Sequence, residues 1–353
     1  MFNTGLYYPT IEINNDDWLK SAILLWDRIE TIVPEGNTNP YRRRATKYLS
    51  DEGLLVPHVV NPFNREVAVL AEDVYMYLRT AEGRQSLRRA RQSRTYNVDY
   101  FVRNERKLYR EYDDFFIHLA KFPYILQNML SNYATDDGYI MVGASFMNYY
   151  MTLLANRICQ MNHLSLLTDR VMLNDLSNNV MTSGLTWPED GNVRDEDRLC
   201  MMYEVIMDKI SINSNTPIER IVRFKRNRND ELNLFREKMD GLTRFDMTGM
   251  TYEDIKHEMN AIYMEEVLPV INELKKALND AQIDWRDSVR GCLLTGIFPA
   301  LFAGPSVQTI APVVIGYGID LAVKAKNCRK KKQEIENRSP YAYLLKMDRY
   351  LNR

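Results

Sequence analysis

Short apolar runs rich in Ile, Val and Tyr alternate with amphipathic helical stretches in the first part of this chain, and that rhythm constrains the fold more than any other feature. Leu6 to Ile13 reads as a strand. Asn14 and Asn15 then supply N-cap chemistry, and Asp16 and Asp17 favour the positive end of a helix whose apolar face is Trp18, Leu19, Ala22, Ile23, Leu25 and Trp26. Ile29 to Val33 forms a second strand that Pro34-Glu35-Gly36 breaks. A basic amphipathic helix starts near Arg42 and stops at Gly53. Leu54 to Val60 is a third strand, which Pro57 marks as short or at an edge, and a helix from Glu66 to Leu78 follows. Tyr139 to Val142, a long helix from Ser145 to Met161, and Leu164 to Leu167 repeat the unit. Strands separated by helices of this length predict an α/β region with a mainly parallel sheet and crossover helices.

Strand signals fade from about residue 195, where helical patterns run through Arg198 to Ile210, Asp230 to Leu242 and Tyr252 to Asp280. The last begins with Thr251 and Asp254 at capping-box spacing and contains Pro269, which predicts a kink or break. A length of 353 residues exceeds the usual single domain. The expected organisation is an α/β domain over 1–181, a linker rich in Gly, Asn, Asp and Pro over 182–197, and a mainly helical domain over 198–353.

Several short patterns resemble an uncharacterised bacterial family known only as a domain of unknown function. Leu6-Tyr7-Tyr8-Pro9, Trp26-Asp27 and Ile32-Val33-Pro34 are similar in order and spacing to its opening. Gly53-Leu54-Leu55 with Pro57, Tyr150-Met151 with Leu154-Ala155, Thr168-Asp169, Arg223-Phe224 and Phe235-Arg236 continue the likeness. The resemblance implies a bacterial or phage-associated origin and brings no activity, cofactor or catalytic residue with it.

Chemistry is sparse. Lys plus Arg number 46 against 47 acidic residues, so any electrostatic attraction must be local. Cys159, Cys200, Cys292 and Cys328 form no CxxC or CxxH pair, and His58, His118, His163 and His257 are equally scattered, so no zinc ligand set is visible. Four scattered thiols and a start without a secretory pattern predict a reducing, cytoplasmic setting. No Walker loop, GxGxxG, GxSxG or HExxH occurs.

Three constellations remain. Asp16 and Asp169 follow expected strands, with Asp136 and Asp137 ahead of Tyr139; ligands gather beyond the carboxyl ends of parallel strands, where two or three carboxylates hold Mg²⁺ for phosphodiester chemistry. Both are equally ordinary helix-start and turn residues. Arg84, Arg88, Arg89, Arg91 and Arg94 lie in a basic stretch interleaved with Tyr96, Tyr100, Phe101 and Tyr109, a pattern that suits phosphate contact and base stacking or a solvated helix. Gly291 to Ile319 contains no charge, and a cationic run from Lys324 to Lys332 follows. Pro299, Pro305 and Pro312 divide it, so an apolar hairpin over about 291–323 is expected, packed in a core, inserted in a membrane or used as an interface.

The leading expectation is a non-catalytic or accessory cytoplasmic protein acting through protein association or self-association, with a link to phage defence that the resemblance alone suggests. The alternatives are a metal-dependent enzyme acting on nucleic acid, with Asp16 and Asp169 as first suspects, and a membrane-acting effector using the 291–323 hairpin.

Overall fold

The computed structural model describes residues 3–81, 83–85, 114–136, 138–169, 193–209, 212–272 and 340–351. The chain divides into two compact units, Met1–Leu19 with Trp26–Cys200, and Lys20–Leu25 with Met201–Arg353. The expected apolar hairpin, Asp137, and the arginines at 88, 89, 91 and 94 lie outside the described residues. Among the described residues, no helix is long and apolar enough to cross a membrane.

In the first unit, β1 (Thr4–Tyr7), β2 (Arg28–Pro34), β3 (Leu55–Val60) and β6 (Ser165–Leu167) form a parallel sheet of order β3-β2-β1-β6. Helix α1 (Asp16–Leu25) links β1 to β2, and α2 (Arg44–Asp51) links β2 to β3. Asn15 caps α1 by accepting the Trp18 N–H at 3.1 Å. Gly53, at φ +70°, ends the turn after α2 in the left-handed region that favours glycine. Leu6, Ile32 and Val60 join one buried cluster with α3 (Arg65–Ala68), α4 (Ala71–Leu78) and the long α6 (Ala144–Asn162). Alternation turns Tyr7 and Thr31 to the other face, where Tyr7 meets Trp18 of α1 and Thr31 bonds the Tyr41 hydroxyl at 3.0 Å. Helices on both faces fit the near-continuous burial of β1 and β2.

The structure corrects three local expectations. The first strand ends at Tyr7, not Ile13, because Pro9 has no amide to continue the ladder; only the Tyr8 N–H extends it, bonding the Leu167 carbonyl at 3.0 Å. The helix expected over Glu66 to Leu78 is two helices, α3 and α4. The third concerns β5 (Tyr139–Gly143), which does not join the parallel sheet. It pairs antiparallel with β4 (Asp114–His118), Phe116 opposite Met141, in a separate two-stranded sheet. A short apolar run announces a buried strand but not its partner, and β4 lacked a recognisable pattern. A 3₁₀ turn (Leu119–Lys121) and α5 (Tyr124–Leu130) lie between β4 and β5.

The second unit is helical, built from the later part of α7 (Asp195–Lys209), then α8 (Ile218–Asn227), α9 (Asn229–Leu242), α10 (Tyr252–Ile262) and α11 (Ala342–Leu351). Phe235 stacks against Tyr203 and Tyr343, and Phe224 against Tyr350. Leu24 and Leu25, at the carboxyl end of α1, have carbonyls without intrahelical donors; the Tyr343 hydroxyl and Arg236 guanidinium supply them at 2.7 and 2.5 Å. Buried Lys346 pairs with Glu231 at 2.7 Å, and Arg228 reaches the same oxygen at 3.2 Å. Helix α8 was not anticipated, although Pro217 at its start is a recognised helix-initiating signal.

The capping box of α10 is present in both directions: Thr251 accepts the Asp254 N–H, and the Asp254 carboxylate accepts the Thr251 N–H. Thr251→Ala should therefore cost about 1 kcal/mol, read as a lower urea midpoint, and an unchanged midpoint would deny the box any energetic part. Beyond α10, Tyr263–Val267 widens into a π turn before helical geometry resumes around Pro269. Proline has no N–H for the carbonyl four residues back and its ring crowds that carbonyl; a wider turn relieves both. The break expected at Pro269 is thus a bulge one turn earlier.

Candidate functional site

The order β3-β2-β1-β6 means that the chain steps from β1 to β2 to β3 in one direction and later returns to the far side of β1. The carboxyl ends of β1 and β6 therefore flank the switch point at which open α/β sheets bind ligands. The Tyr7 hydroxyl donates to Asp169 Oδ1 at 2.8 Å across that gap, and the Tyr7 and Trp18 rings lie 5.2 Å apart. Glu12, in the loop after β1, accepts the Arg42 N–H at 2.8 Å and the Thr46 hydroxyl, so it anchors that loop to the start of α2. Arg43 adds a bond to the Ile13 carbonyl at 2.8 Å and an ion pair with Asp16 at 3.0 Å.

The two candidate carboxylates thus stand near the expected end of the sheet, each with a protein partner. Asp16 is partly exposed against Arg43, and Asp169 accepts from Tyr7. Asp136 is exposed in the turn before β5, which belongs to the other sheet. Among the described residues, no group of three or more His, Cys, Asp or Glu is placed to hold a metal ion. Arg84 is exposed, the described member of the basic candidates.

Two arrangements escaped the sequence reading. His58, on edge strand β3, faces carboxylates through both ring nitrogens: Nδ1 is 2.9 Å from Glu30 Oε2, and Nε2 is 3.7 Å from Glu66 Oε1. Arg28 holds the other Glu30 oxygen at 3.0 Å. The register Ile32↔His58 places His58 on the same sheet face as Glu30, two residues before Ile32. The group ties β3 to β2 and α3 through side-chain contacts. Nothing in the spacing of residues 30, 58 and 66 announces it.

The other arrangement is apolar. The loop Asn61-Pro62-Phe63-Asn64 is ordered by Asn61, whose side chain accepts the Phe63 and Asn64 N–H groups. That turn projects Phe63 outward, 71% exposed, where it stacks on Tyr124 with centroids 4.7 Å apart. Tyr124, at the start of α5, donates its N–H to the Pro62 carbonyl at 3.3 Å and is itself 57% exposed; neighbouring Ile125 is 75% exposed. A phenylalanine among turn-forming residues was the available signal.

Burial holds two nucleophile types, Cys159 and Tyr150, in their protonated forms. Burial pushes the Cys159 thiol up, away from the reactive thiolate. Burial likewise raises the Tyr150 phenol, which donates to the Lys121 carbonyl.

Compared with known proteins, residues 176–352 match the model of a family described as "Family of unknown function (DUF6236)". No curated protein and no solved structure matches the chain. The matched span contains the Arg223-Phe224 and Phe235-Arg236 patterns, and the opening Leu6-Tyr7-Tyr8-Pro9 pattern lies outside it.

Proposed function

For a chain that belongs to DUF6236, a family of unknown function, we propose that it acts by association, pairing with a second copy through the Phe63–Tyr124–Ile125 surface of its first unit. The carrying observation is the stacked, outward pair of Phe63 and Tyr124 with Ile125 beside it. Monomers scatter exposed apolar side chains singly, whereas a grouped set with two aromatics marks an interaction surface, and aromatic anchors dominate interface energetics. The three side chains carry no charge, so two copies placed about a two-fold axis meet like against like without repulsion. Pro57 on the edge strand leaves one position without an amide donor, which disfavours strand addition and leaves side-chain packing as the mode of contact. Cys159 and Cys200, both free and buried, support the reducing cytoplasmic setting.

Sedimentation velocity across a concentration series tests the reading. The expected result is a monomer–dimer equilibrium that Phe63→Ser with Ile125→Ser shifts toward monomer by at least about tenfold in Kd, some 1.4 kcal/mol. Both positions are exposed, so the fold should survive, as circular dichroism would verify. A monomer at every concentration, or a dimer indifferent to both substitutions, overturns the proposal.

A further inference from the structure

The second unit holds a cleft of about 460 Å³ between the last turn of α7 and the first turns of α10, within the volume range of small-molecule sites. Buried Val205 contributes an apolar wall, and Asp208, Lys209, Asp254, Lys256, His257 and Asn260 contribute polar ones. The placement follows from helical periodicity. In α10, Ile255 and Met259 are buried, which turns Asp254 and His257, three apart, and Lys256 and Asn260, four apart, toward the periphery.

These polar groups are not equally available. The Asp254 carboxylate is committed to the Thr251 N–H and hydroxyl at 2.9 and 2.7 Å, bonds that hold it below the usual carboxylate range. Lys256 also has a partner. The side chains of Asp208, Lys209 and Asn260 make no hydrogen bond or ion pair with the described residues. Among the described residues, the cleft therefore offers one uncommitted carboxylate, one uncommitted ammonium and one carboxamide, beside a fixed carboxylate and an imidazole. The formal charges of its two Asp and two Lys cancel. A polyanion or a simple metal cation meets as much repulsion as attraction there, whereas a small molecule carrying both signs pairs with each. Three residues after Asn260 the helix departs from α geometry through the π turn at Tyr263–Val267, a distortion frequent beside functional sites.

We infer that the α7–α10 cleft binds a small zwitterion of the amino-acid type, its ammonium on Asp208 and its carboxylate on Lys209 and Asn260. This goes beyond the association reading and is independent of it, since the two surfaces belong to different units. The association variant Phe63→Ser/Ile125→Ser should bind the zwitterion as well as the parent does.

Isothermal titration of the full chain with glycine, L-glutamate and L-lysine, and with acetate and methylammonium as singly charged probes, tests the inference. At least one amino acid should bind saturably, and each singly charged probe about tenfold or more weakly. Asp208→Asn and Lys209→Met should each weaken the amino acid about tenfold, and because both side chains are exposed the fold should persist. Three results overturn the assignment: no saturable binding of any amino acid, singly charged probes that bind equally well, or binding that survives the double substitution.

Discussion

Replacing Lys121 with methionine is expected to stabilise the first unit near neutral pH by an amount on the order of 2–5 kcal/mol. Lys121 ends the 3₁₀ turn after β4 and is 5% exposed. Burial alone pulls its ammonium down from 10.5 to about 7. The unfolded chain therefore binds a proton that the folded chain releases between about 7 and 10.5, so stability rises with pH across that window. Below about 7 both states are protonated and the full penalty of a buried charge is present. Methionine keeps a flexible side chain of comparable length and removes the charge. The stability difference between Lys121→Met and the parent, measured by urea denaturation at several pH values, should be largest at and below pH 7 and shrink toward pH 10. A variant less stable than the parent at neutral pH would contradict the account.

The opposite sign is expected at Arg194, where alanine should cost about 3–5 kcal/mol. Its guanidinium grips Asp197 in a two-pronged pair at 2.7 and 2.6 Å and donates to the Cys159 carbonyl at 2.8 Å and the Leu164 carbonyl at 3.4 Å. Cys159 lies in the last turn of α6, and Leu164 directly precedes β6. One side chain therefore closes the carboxyl end of the longest described helix and anchors the fourth strand of the sheet. Removing it strands a carboxylate that is 8% exposed and whose burial already pushes its pKa up against the pull of Arg194. Lysine should rescue little, because a point charge does not reproduce the planar fork. Arg194→Met with Asp197→Leu should recover most of the loss, since the buried charge leaves with its partner. A cost near zero for Arg194→Ala, by urea denaturation, would show that solvent replaces the fork.

Much of the framework was legible in the chain because it is written in near neighbours. Asn15 before Asp16 starts α1, Thr251 with Asp254 starts α10, Gly53 closes α2, and Pro57 marks as short or at an edge a strand that lies at the edge. Each signal needs only residues within one turn, so the sequence alone determined these helix ends and this strand's place. It likewise determined that the first half is α/β with a parallel sheet and that the second is helical. Tertiary structure decided the rest, because a side chain's partner depends on loop closure over tens of residues. The antiparallel pairing of β5 with β4, the grip of His58 on Glu30 and Glu66, and the Tyr7–Asp169 bond across 162 positions have no local trace. The outward stack of Phe63 and Tyr124 belongs with them: an aromatic residue in a turn reads the same whether it is covered or open, and only the packing around it leaves it exposed.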